Sequence, residues 1–256
     1  MVRRGKPEYA APALAKGLDI LELLAGIEGG LTQNLIAERL ERTTSQIFRM
    51  LEVLVRRSYI SRGADGSYRL TLKLFELAHC HAPVKRLVAT ALPVMQRLSH
   101  TIGQSTHISV HYDRRLLVVA QVDSSEPMNF SVRLGSHYPF GPDHGSALVL
   151  TSFQPAEARA ALVAEMVANH PRLDVKALKA DLTLVGKRAY YQSVSEVVGG
   201  VTQLSAPIFS NSPGAIAALA SPFLRRRDAR VSLTDARRAL VRAAGEISAC
   251  LGANVR

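Results

Sequence analysis

The stretch from Thr43 to Leu70, TTSQIFRMLEVLVRRSYISRGADGSYRL, leaves little choice of local structure. Ile47, Met50, Leu51, Leu54 and Val55 recur at the helical period, so this helix must bury one stripe. Ser45, Arg49, Glu52 and Arg56 line another face, and Phe48 and Val53 fall between the two. Thr43 and Gln46 have the spacing of a capping box, which fixes where the helix starts. After Ser58, the β-prone runs YISR and SYRL flank a loop containing Asp65-Gly66, and this reads as a hairpin.

A helix followed at once by a hairpin needs further helices to close a core, and the preceding residues supply two. Leu14, Leu18, Leu21 and Ala25 are spaced for a helix that ends at GIEGG. Thr32 is placed to cap a second helix, QNLIAERL, with Leu35, Ile36 and Leu40 on one side. Helix, helix, turn, helix and hairpin together make a winged helix-turn-helix. Charge is distributed accordingly. Residues 39–73 carry Arg39, Arg42, Arg49, Arg56, Arg57, Arg62, Arg69 and Lys73 against Glu41, Glu52 and Asp65, a surplus of five, whereas residues 17–38 hold four acids and no base. The positive charge therefore gathers where a turn and wing would meet phosphates.

Helical patterning resumes in LKLFELAHC, breaks at Pro83 and continues through VKRLVATALPVMQRLSHTIG with an expected interruption at Pro93. Beyond it the period changes. THISVHY, RLLVVAQV and MNFSVRL read as strands, helices fill the interval from about Gly145 to Gly186, and GGVTQLSAPIF and GAIAALASPF read as strands again. A last helix runs from Thr234 to Leu251. The expectation is an α+β fold with a mainly antiparallel sheet, so residues 1–80 form one domain with the start of a linker helix and residues 81–256 form another.

The whole chain carries a net charge of +11, which favours an anionic partner, either nucleic acid or an acidic membrane surface. Its two cysteines, Cys80 and Cys250, do not make a disulfide framework, and no run reaches the length of a membrane span. A soluble cytoplasmic protein is expected.

These residues resemble the IclR-type bacterial transcriptional regulators. GLDILELLA, LTQNLIAERL, TTSQIFRMLEVLVRRSYI and YRL carry the resemblance in the first half; ALPVMQRLSHTIGQSTHISV, GSHYPFGPDHGSALVL, EVVGGVTQLSAPIF and AAGEISACLGA carry it in the second. The resemblance implies a winged-helix DNA-binding domain, a linker helix that helps dimerisation, and a GAF-like domain that binds a small effector and takes part in oligomerisation. It also implies a homodimer or homotetramer on double-stranded operator DNA. The family usually has glycine where this chain has Ser58 and Thr71, and hydroxyl residues where it has Ala218 and Ala220.

In that frame, Gln46 and Arg49 are expected to reach base edges, Thr43, Thr44 and Ser45 lie at the helix start beside phosphates, and Arg62 and Arg69 contact phosphates or the minor groove from the wing. The effector's anionic end is expected near the backbone of His144 and Gly145, where a helix start offers N–H groups, with Ser146 close by. Glu196 and Ser205 are either pocket contacts or strand-end hydrogen bonders. Ala218 and Ala220 would make the pocket more apolar, pointing to an aromatic or branched carboxylate as effector of a repressor.

Rival readings start from particular residues. Asp143, His144 and Ser146 superficially form a catalytic set but are too close in sequence for a nucleophile, base and orienting acid. The chain is therefore expected not to be an enzyme and to need no cofactor. His79, Cys80 and His81 suggest metal but cannot easily converge on one ion from a helix. The run from Arg225 to Arg230 reads as a solvated loop, a DNA-attracting patch or a partner contact. A basic protein that binds membranes or partners instead of DNA is the remaining alternative.

Overall fold

The computed structural model describes residues 11–80, 82–195, 198–227 and 231–253, and for residues 79, 80, 82 and 83 the backbone alone. The chain divides into two compact units, the first ending at Ala82 and the second starting at Pro83.

In the first unit, α1 (Pro12–Ala25), α2 (Gln33–Arg39) and α3 (Thr44–Arg56) precede the wing strands β2 (Ile60–Arg62) and β3 (Ser67–Leu70). A two-residue strand, β1 (Leu31–Thr32), pairs with β3 and completes a three-stranded sheet in the order β1-β3-β2. So short a strand leaves no period to read. Thr32 caps α2 by accepting from the Leu35 N–H. At the start of α3, Gln46 Oε1 accepts from the Thr43 N–H at 3.2 Å, and the Thr43 and Ser45 hydroxyls lie 3.1 Å apart. Ile47, Leu51 and Leu54 are buried, with Met50 and Val55 packed at the margin, so the expected inner stripe of α3 is the observed one.

The stripe expected on α1 is not. Leu14 and Leu18 are 64% and 47% exposed, while Ile20 and Leu24 face the core. This leucine-rich helix carries two apolar stripes, and spacing alone does not say which one the other helices cover.

Both turns flanking α3's contribution end in left-handed residues that are not glycine. Glu41 has φ 52° and Ser58 has φ 61°. At the end of α3 the Ser58 N–H donates to the Val55 carbonyl and the Tyr59 N–H to the Leu54 carbonyl, the paired bonds of a Schellman motif. Ser58 thus holds the position where glycine is least strained. Thr71, the other departure from the family pattern, donates its hydroxyl to the Ser58 and Tyr59 carbonyls and accepts from the Lys73 N–H. Ser58→Gly is expected to stabilise this unit by about 0.5–1 kcal/mol, read as a higher midpoint in thermal unfolding.

After α4 (Lys73–Cys80), the second unit opens with α5 (Ala82–Ile102), which runs through Pro93 without the expected interruption. Ala91, Val94, Met95, Leu98 and Ile102 are buried, and their packing offsets the hydrogen bond that proline cannot donate. Strands β4 (Thr106–Tyr112), β5 (Arg115–Val122), β6 (His137–Pro139), β7 (Tyr191–Val194), β8 (Val201–Phe209) and β9 (Ala215–Leu224) form one antiparallel sheet in the order β6-β5-β4-β9-β8-β7. This is the α+β fold the sequence predicts.

Helices α5 and α9 (Leu233–Cys250) contribute to the core on one sheet face, and α6 (Gly145–Ser152), α7 (Ala156–Asn169) and α8 (Val175–Arg188) to the core on the other. MNFSVRL is not a strand. Its alternation is real, since Phe130 and Val132 are half-buried between exposed neighbours, but those side chains line a cavity and pair with no ladder.

Candidate functional site

The first unit exposes the start of α3 and the arginines of its wing. Thr43, Thr44, Ser45, Gln46 and Arg49 are all exposed on the first turns of α3 or at its cap. Gln46 is engaged through its side-chain oxygen, and its NH₂ remains a donor. On the wing, the Arg62 guanidinium lies 5.6 Å from the centre of the Tyr68 ring. Arg69 is held by structure: its Nε donates to the Gly29 carbonyl at 2.7 Å and its NH₂ group to Asp65 Oδ2 at 3.0 Å. Asp65 in turn accepts from the Ser67 N–H and hydroxyl, and these hydrogen bonds hold its carboxyl below the usual range. Arg69 therefore fixes the wing to the loop before β1, while Arg49 and Arg62 keep their charge toward solvent. Sequence spacing gives no sign of this division of labour, because Gly29 and Arg69 are far apart in the chain.

The second unit carries a half-open cavity of about 180 Å³ on the sheet face that α6 covers. A cavity of roughly 150 Å³ takes benzene, so a single-ring molecule is the appropriate scale. His144, Gly145, Ser146, Ser205 and Ala220 all line it, which brings together five of the expected residues from the start of α6, β8 and β9. Ala218 lies on the same face of β9 but is fully covered in the core cluster that includes α6. It sets the packing beneath the cavity and not its wall. Glu196 lies outside the described residues, as do the side chains of His79, Cys80 and His81, and residues 228–230 of the arginine run.

Several wall residues are not among those the sequence singles out. His107 and Ser109 come from β4, Tyr138 from β6, Gln203 from β8, and Phe130 and Val132 from the segment after β5. Alternation along β4 and β8 could have found His107, Ser109 and Gln203, since each sits on the face opposite Ile108 or Leu204. Arg226 helps place the segment bearing Phe130, by reaching Glu126 at 3.3 Å and the Met128 carbonyl at 3.3 Å. It is thus a tether within its own unit.

At the start of α6 the Gly145 N–H donates to Gln203 Oε1 at 3.1 Å, and Gln203 Nε2 donates to the Asp143 carbonyl at 3.2 Å. Gln203 thus occupies one amide that the sequence reading reserves for an anion. A ligand oxygen must either displace that side chain or use the neighbouring hydroxyls. Ser146 and Ser205 place theirs 3.4 Å apart, the Ser146 hydroxyl facing Ser205 and making no bond to His144. The His144 ring packs 5.4 Å from Tyr138. Burial pushes the His144 imidazole down, Asp143 opposes that shift and His170 adds to it. Burial holds His107 at a pKa of about 4. Among the described residues no Lys, Arg, Asp or Glu lines the cavity. Such a wall favours a largely apolar ligand whose polar end is met by neutral hydrogen-bond donors.

Among the described residues no group of three or more metal-ligating side chains converges, and no helix is long and apolar enough to cross a membrane. Residues 13–63 match the IclR helix-turn-helix domain, and residues 82–249 match the bacterial transcriptional regulator IclR C-terminal domain. The chain is 27% identical over 244 residues to the HTH-type transcriptional regulator BhcR of Paracoccus denitrificans, covering 92% of this chain and 86% of that protein. It is 22% identical over 228 residues to the HTH-type transcriptional repressor AllR of Escherichia coli, covering 85% and 84%. Among solved structures, an IclR homologue from Microbacterium hydrocarbonoxydans complexed with 4-hydroxybenzoate superposes with a TM-score of 0.76 at 23% identity, covering 93% of this chain and 98% of that one.

Proposed function

The chain belongs to the IclR family of bacterial transcriptional regulators, and from that premise we propose that it is a cytoplasmic, ligand-responsive repressor whose second unit binds an aromatic or branched carboxylate. The observation that carries the ligand class is the cavity: one-ring in size, walled by Phe130, Val132, Leu116 and Val201, with neutral polar groups from β4, the start of α6 and β8. The Microbacterium homologue, which holds 4-hydroxybenzoate, supports that class. The hydroxyl contacts of Ser146 and Ser205 serve recognition in this reading, and turnover of the ligand is not expected.

Double-stranded operator DNA is met by the start of α3 and by the wing. Arg49→Ala is expected to weaken binding to the specific site by about tenfold, and Arg69→Ala to act through the wing's stability. Gel-shift titrations on specific and scrambled DNA check this, because an arginine that touches only phosphates weakens both alike. The working form is a homodimer or homotetramer. Exposed Leu14 and Leu18 on α1, and Leu72 and Phe75 at and just before α4, are apolar surface that a second copy would cover.

Ligand and DNA are coupled only if the ligand prefers one arrangement of the protein. A hundredfold change in operator affinity requires about 2.7 kcal/mol of that preference. Calorimetric titration with benzoate and 4-hydroxybenzoate, against acetate and pyruvate, tests the ligand class. Binding of the short acids alone would sink it.

A further inference from the structure

His107 lies on β4 between Gln121 of β5 and Ala220 of β9, and its ring forms part of the cavity wall. Its Nδ1 is sealed from solvent and has no hydrogen-bonding partner. A neutral imidazole carries one N–H and one bare nitrogen, and a buried N–H left without an acceptor is the rarer and costlier of the two orphans. The sealed nitrogen is therefore the bare one. The proton belongs on Nε2, and the residue as a whole is half-buried and lines the cavity.

The surroundings offer nothing to charge the ring. The other titratable groups at the cavity are Tyr138 and His144, with Asp143 and His170 bearing on His144. The strands on either side put only Gln121 and Ala220 opposite His107. A second proton would go to Nδ1, where it would be trapped without an acceptor whatever the ligand does at the other edge. Desolvation alone accounts for the direction in which this group is pushed.

We propose that His107 is a neutral, donor-only contact for the ligand, giving its Nε2–H to a ligand oxygen and staying uncharged in the complex. The proposal rests on the reading of this cavity as the ligand site and adds the recognition chemistry of one wall. A ligand must present an acceptor there, such as a carboxylate, carbonyl or ether oxygen. A donor at the same position meets the N–H head-on and is rejected. Charge compensation for a carboxylate then comes from the hydroxyls and helix start opposite, with no proton taken up from solvent.

The test uses the full-length protein carrying isotope-labelled histidine, with His107→Gln assigning the resonances. At about neutral pH, nitrogen–proton correlation spectra are expected to show His107 protonated at Nε2 and bare at Nδ1, both free and saturated with benzoate. Benzoate calorimetry in two buffers of different ionisation heat is expected to show less than about a fifth of a proton taken up per ligand. His107→Phe is expected to lose about tenfold in benzoate affinity, while His107→Gln, which keeps a donor, stays within about threefold. An imidazolium in the complex, an Nδ1–H tautomer, uptake of more than about half a proton, or undiminished affinity in His107→Phe would each overturn the proposal. Failure of benzoate to bind at all would count against the ligand class, and the tautomer of the free protein would still decide the role of His107.

Discussion

Gly145→Ala is expected to lower the stability of the second unit by about 2–3 kcal/mol and to abolish binding of one-ring acids in the cavity. A β-carbon at this position would sit 2.2 Å from Cδ1 and 2.6 Å from Cε1 of Tyr191. Those are ring atoms near the base of the side chain, so the tyrosine cannot turn its tip aside and either β7 or the start of α6 must move. Both carry cavity architecture, because Tyr191 is paired with Ser205 in the sheet and Gly145 gives its N–H to Gln203. Urea unfolding reads the stability loss, and calorimetry with benzoate reads the binding loss. Trimming the obstacle in Gly145→Ala/Tyr191→Val should recover part of both. A single variant as stable as the parent would mean that the α6 start is looser than this packing implies.

His107 sets the second large effect, in acid. Its imidazole is held at about 4 in the folded chain against an ordinary 6.5. The unfolded chain therefore binds the proton first. Above about pH 6.5 both states are neutral and the residue costs nothing; as pH falls from 6.5 toward 4 the folded state loses ground, by about 3 kcal/mol in all. Below about 4 the loss levels off. Chemical unfolding of the wild type between pH 7 and 4.5, compared with His107→Phe, is expected to show a shallower decline in the variant. Parallel declines would show that Nδ1 is not sealed from solvent in solution.

How legible the protein is in its sequence varies with the range of the interaction. Around α3 every determinant is local: the Thr43–Gln46 cap, one apolar stripe and the Gly63–Gly66 turn, so helix and wing are placed nearly to the residue. On α1 two stripes compete, and only the tertiary contacts of Ile20 and Leu24 choose between them. Pro93 misleads because a local cost is outweighed by the burial of a whole helix face. The cavity follows the same division. His144, Gly145, Ser146 and Ser205 are visible because they sit in motifs, but the role of Gln203 depends on a bond spanning 58 residues. That of Arg69 depends on Gly29, 40 residues away. His107 shares with Ser109 the strand face opposite Ile108, which alternation reveals, but only the packed sheet shows that this face lines a cavity. The segment from Met128 to Leu134 has strand periodicity because it turns alternate side chains inward, yet the surface it covers is a cavity.

The measurement that tests the account most directly is a gel-shift titration of the full-length protein on DNA upstream of its own gene, against scrambled DNA of equal length, at two salt concentrations and with and without saturating benzoate or 4-hydroxybenzoate. The account predicts preference for the upstream fragment that survives the higher salt and changes by at least about tenfold when the acid is present, with Arg49→Ala losing the preference and Gly145→Ala losing the response. Equal, salt-sensitive binding to both fragments, indifferent to either acid, would contradict it: the positive face would then supply only non-specific attraction, and the cavity would have no hold on DNA.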